Sequence, residues 1–202
     1  MDLKNLNTII EKNNLEFERM SKAEKRVTIA EDCITRINID QIKPKQGLFI
    51  SQIDFYGRFN GFDEHCEMDY MSEYDNDVKE IINSSPITCS ACVKGALFLS
   101  YVGRVNNVRK INNSVSILDS EHQKLLELFS SRQLAMIEYA FEGYQFLYVD
   151  ENGNKIIFSD EELNKLTNFY LKNASNVEAM IAICENIIEN KGEFIPATSL
   201  KL

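Results

Sequence analysis

The sequence predicts a predominantly α fold with a small antiparallel β element, a single helical domain of about six helices. Three observations point there. Four serines are each followed three residues later by Glu or Gln, the capping-box spacing that opens a helix. Apolar residues in the runs that follow recur at three- and four-residue steps. Two stretches have the aromatic and β-branched make-up of strands.

Taken in order, Leu3, Leu6, Ile9, Ile10 and Phe17 suggest an N-terminal helix over residues 1–20. A mainly helical domain is expected over 21–196, with an acidic insertion at about 60–80 and a tail over 197–202. Ser21 and Glu24 open its first helix, whose stripe is Ala23, Val27, Ala30, Cys33, Ile34 and Ile37. Pro44 and Gly47 end that region, and GLFISQIDFYGRF reads as a strand. Thr88 or Ser85 would cap a helix beginning near Cys89 and stopping at Gly103; it is apolar on nearly all sides and therefore central. Ser120 with Gln123 is a further box, and a helix from Arg132 to Glu142 ends at Gly143. YQFLYVDENGNKIIF places Asp150 to Asn154 as the turn of a hairpin. Ser159 with Glu162 starts a helix presenting Leu163, Leu166, Phe169 and Tyr170 inward. Ser175 with Glu178 starts the last, with Val177, Met180, Ile181, Cys184, Ile187 and Ile188 as its stripe and Gly192 as its stop.

At 202 residues the chain can bury a core without metal or disulfide staples. No run of 18 apolar residues suggests a membrane span, and the first 20 residues are too charged for a signal peptide. Five cysteines, an odd number, fit thiols in a reducing, cytoplasmic compartment. The net charge is −9. Asp63 to Glu80 holds eight acidic residues against one lysine, a local balance of −7. That argues against direct nucleic-acid binding and against docking on an anionic membrane.

The segment PITCSACVKGALFLSYVG poses the main chemical question, because Cys89 and Cys92 are spaced as metal ligands or a redox pair would be. Zinc needs four ligands, and Cys66 with His65 would have to complete the set, although adjacent residues seldom share one ion. A redox thiol would gain from the helix N-terminus but should follow a buried strand, and none is evident before Cys89. The preferred reading is that both are small buried side chains, as Cys33 and Cys184 are on their stripes, with no cofactor bound. Among the remaining groups, His122 reads as solvated. Asp75-Asn76-Asp77 lacks the glycine and terminal glutamate of a calcium loop. No nucleophile-elbow, P-loop or dinucleotide fingerprint is present.

Three stretches, SKAEKRVTIAEDCITRI, CSACVKGALFLSYVGRV, and FSSRQLAMIEYAFEG with AMIAICENIIENKGEFIP, together resemble a family of small uncharacterised proteins of bacterial viruses and prophage-rich bacterial genomes. The resemblance implies a bacterial or viral cytosolic protein and supplies no catalytic residues. The expected function is non-enzymatic binding of a host or viral macromolecule, as an inhibitor or counter-defence protein. Asp69, Glu73, Asp75 and Asp77 would face a basic protein partner. The alternative is a small-molecule or nucleotide binder or enzyme, with Tyr56, Arg58, Tyr101 and Arg104 around the N-terminus of the Cys89 helix. Neither reading fixes an oligomeric state.

Overall fold

The computed structural model describes residues 15–47, 49–55, 87–102, 124–144, 148–150 and 152–196. Residues 15–19 form a short helical segment that buries Phe17 against the Tyr101 ring. Helix α1 (Lys22–Asn38) follows. The Ser21 side chain accepts the Glu24 N–H, and the Glu24 carboxylate accepts the Ser21 N–H at 2.8 Å, the reciprocal cap expected from the spacing. The buried face of α1 is Ile29, Ala30, Cys33, Arg36 and Ile37. It is rotated from the expected stripe, with Val27 and Ile34 only half-buried. Arg36 can sit inside because Asp32, one turn earlier, accepts from its Nε at 2.6 Å.

Asp40, at φ 58, turns the chain into β1 (Ile42–Pro44), which is followed by β2 (Ile50–Phe55) and β3 (Ile87–Ala91). The sheet order is β1-β3-β2. β2 runs antiparallel to β3, with an irregularity between Ser51 and Ile53, whereas β1 runs parallel to β3. The expectation of a purely antiparallel element is therefore corrected. β1 is three residues long and ends in proline, too short to show a strand pattern, and proline is accommodated on an edge strand.

The central helix is also corrected at its start. It does not begin at Cys89: residues 87–91 are the middle strand, and α2 (Val93–Val102) starts after Cys92. The Cys92 carbonyl accepts the Ala96 N–H at 2.9 Å, which makes Cys92 the N-cap. The central placement holds, for every residue from Ala91 to Tyr101 is buried.

Helix α3 (Ser131–Glu142) is capped by Ser130 and stopped by Gly143 at φ 79. The Tyr170 ring lies where a Cβ on Gly143 would be, 2.7 Å from its nearest atoms, so the glycine serves both the turn and the packing. Among the described residues, the hairpin shows one antiparallel bridge, Val149 with Lys155, around a turn in which Asp150 accepts from the Asn152 and Asn154 N–H groups. Helices α4 (Asp160–Lys172) and α5 (Asn176–Glu189) complete the order. Ser159 makes its full capping box. At Ser175 only half of the box forms, because Glu178 accepts the Ala174 N–H instead.

Helix α1 packs on α5 and α2, and α3 packs on α4, α5 and α2, around one contiguous apolar cluster. Phe194, beyond α5, closes that cluster: it is fully buried, and the Gln133 side-chain amide holds its N–H at 2.9 Å. No helix among the described residues is long and apolar enough to cross a membrane.

Candidate functional site

Most residues singled out in the sequence lie outside the described residues: Asp69, Glu73, Asp75, Asp77, Tyr56, Arg58, Arg104, Cys66 and His65. Those described are not brought together as expected. Cys89 pairs with Ile42 and Ile53 in the middle strand, while Cys92 caps α2. Tyr101 occupies the last turn of α2, roughly 12 Å along the axis from its start. It is buried, with its hydroxyl donated to Glu127 Oε2 at 2.6 Å. It therefore forms no wall at the N-terminal end, and that part of the pocket reading is corrected. Burial, with Glu127 next in weight, pushes the Tyr101 phenol well above its ordinary range.

A strand does precede Cys92, contrary to expectation, and the thiol sits at the positive end of a helix. Its acidity is nonetheless set by burial, which pushes it up to about 12 despite the Gly95 N–H and nearby Lys94. Burial outweighs the helix terminus here because the thiol has no solvent with which to stabilise its anion. Cys33 and Cys184, both completely buried, meet between α1 and α5. Hydrogen bonding to Cys184, followed by burial, raises the Cys33 thiol strongly. Cys33, Cys92 and Cys184 are thus buried packing groups, and burial keeps the Cys33 and Cys92 thiols neutral. Among the described residues, no three His, Cys, Asp or Glu side chains are grouped to hold a metal ion.

The structure does assemble charged chemistry at the same end of α2, from residues that the sequence reading passed over. Lys94, in the first turn, is buried and pairs with Glu138 Oε1 of α3 at 2.7 Å. Its Nζ also donates to the Tyr148 hydroxyl at 2.9 Å and lies 5.1 Å from that ring's centroid. The hairpin turn is what delivers Tyr148, since the Ile156 N–H bonds back to the Tyr148 carbonyl. One turn beyond Glu138, buried Glu142 accepts the Gly47 N–H at 2.9 Å, and the Gln46 amide donates to the Phe141 carbonyl at 2.6 Å. These two bonds latch the β1–β2 turn to the end of α3.

Burial raises both carboxyls, Lys94 opposing it in Glu138. Glu142 reaches about 7, with burial first, the Gly47 N–H pulling it down, Glu138 pushing it up and Lys94 lowering it. The cluster does leave a signal in the sequence. Lys94 is the only charge in VKGALFLSYV, and Glu138 and Glu142 stand four apart in the largely apolar run LAMIEYAFE. A lone charge in a buried helix requires a partner.

Comparison with known protein families, with characterised proteins and with solved structures finds no match.

Proposed function

We propose that the protein is a non-enzymatic, phage- or prophage-type binding protein that uses an acidic segment to engage a basic surface on a host or viral protein. The observation that carries this reading is the concentration of charge: residues 63–80 balance at −7 in a chain of net −9. The folded body supports it. Arg26, Arg36, Lys94, Lys124, Arg132 and Lys165 each pair with a carboxylate of their own chain. The segment's eight acids have one lysine among them and leave a field that steers a basic partner.

The test uses a quadruple variant, Asp69→Asn, Glu73→Gln, Asp75→Asn and Asp77→Asn, against the partner that salt elutes from the wild-type protein loaded with bacterial lysate. Association should slow about tenfold at about 50 mM salt, and the difference should vanish at high salt, where charges are screened. Equal association rates at low salt, or no salt-eluted basic partner, would reject the reading.

A second reading, a small-molecule or nucleotide binder or enzyme working at the N-terminal end of α2, is favoured by one observation. Glu142, with a carboxyl near neutrality, lies beside Lys94 at that end. A nucleotide that raises the melting temperature of the wild type but not of a Glu142→Gln variant would select it.

A further inference from the structure

Counting charges in the buried cluster leaves one proton to be assigned. Lys94 brings one positive charge, and Glu138 and Glu142 bring two carboxyls one helical turn apart on the same face of α3. With both ionised, the described residues would leave one buried negative charge uncompensated, which a water-poor environment penalises heavily. The Lys94 ammonium is committed to Glu138 Oε1 and the Tyr148 hydroxyl. Glu138 Oε2 is buried without a hydrogen-bond partner among the described residues, on a side chain only 8% exposed. A carboxylate oxygen in that position calls for a donor. The four-residue spacing puts the Glu142 carboxyl within side-chain reach of it, and as an acid that group can donate.

We propose that Glu138 and Glu142 form a proton-sharing carboxyl pair, and that release of the shared proton loosens the latch between α3 and the β1–β2 turn. In the protonated state, Glu142 donates its O–H to Glu138 Oε2 and accepts the Gly47 N–H on its other oxygen. Lys94 then balances Glu138, and the cluster is neutral. On release the proton passes to solvent. Two carboxylates then stand one turn apart with a single ammonium, held by Glu138, and the Glu142 carboxylate is driven outward to find water, leaving the Gly47 N–H behind.

Among the described residues, the other ionisable groups facing the pair do not compensate. The Cys92 thiol on α2 stays neutral, pushed up to about 12 by burial. Tyr144 and Tyr148, flanking the hairpin, are phenols. Lys45, on the turn itself, is exposed. The Arg132–Glu162 pair belongs to the opposite end of α3, where Arg132 also bonds the Ile157 carbonyl. The Glu142 carboxyl, pushed to about 7 by burial first and then by Glu138 against the pull of Gly47 and Lys94, places the release near neutrality. This inference stands apart from the partner-binding reading and does not need it.

The experiment follows the side-chain carboxyl carbons of the 13C-glutamate-labelled full chain by NMR, from pH about 4 to about 9, where ordinary glutamates finish titrating near the low end. One carboxyl should titrate near 7, its resonance missing in Glu142→Gln. In Glu138→Gln, where the amide oxygen can still accept from Lys94, its midpoint should fall by about one unit as the like charge disappears. Glutamates that all titrate below about 5.5, or a Glu142 midpoint untouched by Glu138→Gln, would overturn the proposal. Should Glu138→Gln not fold, the Gly47 amide decides. Its hydrogen-exchange protection should fall above the midpoint in wild type and stay constant in Glu142→Gln, which mimics the protonated acid. Equal pH dependence in both would overturn it.

Discussion

Cys92 shows how one side chain can sit in an activating position and remain inert. Its carbonyl begins α2, its sulfur receives the Gly95 N–H, and Lys94 is close by, all features that lower a thiol's pKa elsewhere. Only 4% of the residue is exposed, so desolvation of the thiolate outweighs the three. Cys92→Ala should therefore cost about 1 kcal/mol or a little more, through a lost buried group and a lost cap, in urea unfolding. In the folded wild type, alkylation mapped by peptide should find Cys33, Cys92 and Cys184 slow to react, and all three should react once the protein is denatured. Rapid labelling of Cys92 in the native state would show that burial does not govern it. Lys94 illustrates the converse. A lysine side chain lies inside because Glu138 and Tyr148 both accept from it, and deleting the Glu138 carboxylate would leave it without its ion pair.

At the scale of elements, the caps are where local sequence and structure agree most closely. Ser159→Ala should destabilise the protein by about 1 kcal/mol, since both halves of its box are formed. Ser175→Ala should cost less, because Glu178 keeps its bond to the Ala174 N–H without the serine. Paired denaturant titrations check the order, and a larger loss at Ser175 would contradict it. Such caps were legible because both partners lie within four residues. The same locality explains Gly143 as a helix stop and Asp150 to Asn154 as a turn. The middle strand was not legible. Ile87 to Ala91 is five residues long, flows directly into an apolar helix, and owes its state to β1 and β2, from more than thirty positions upstream. Stripes were legible in part: Ala30, Cys33, Ile37, Met180, Cys184 and Ile187 are buried, but Val27 is half-buried and Val177 exposed, because α1 and α5 each face two or more neighbours and the buried arc is not one row. The candidate cluster was missed for the same reason as the strand. Lys94, Glu138 and Tyr148 meet only through tertiary packing, and only the oddity of a charge in an apolar run announced them.

For the whole molecule, these groups combine into a stability curve with two flanks of opposite origin. Glu24, Asp150 and Glu162 are held below the ordinary carboxylate range, by Ser21, by the Asn154 N–H, and by the Ser159 N–H with Arg132 respectively. Each contributes stability that is present above its unfolded pKa and lost as pH falls through its folded one, which gives an acid flank below about pH 4. Glu142 acts in the other sense. Its folded pKa of about 7 exceeds the unfolded value of 4.5, so its contribution is complete below the latter and lost as pH rises through the former. Glu138, raised by burial against the pull of Lys94, has the same sign. Stability should therefore peak on the acid side of neutral, between about pH 5 and about pH 6.5, and decline toward pH 8. Net charge adds little to that decline, because the exposed carboxylates are already ionised across the interval. Glu142→Gln should match the wild-type melting temperature at pH 5.5 and exceed it at pH 8, where it carries no buried charge to desolvate. A wild-type decline between those values that persists unchanged in the variant would place the alkaline flank elsewhere in the molecule.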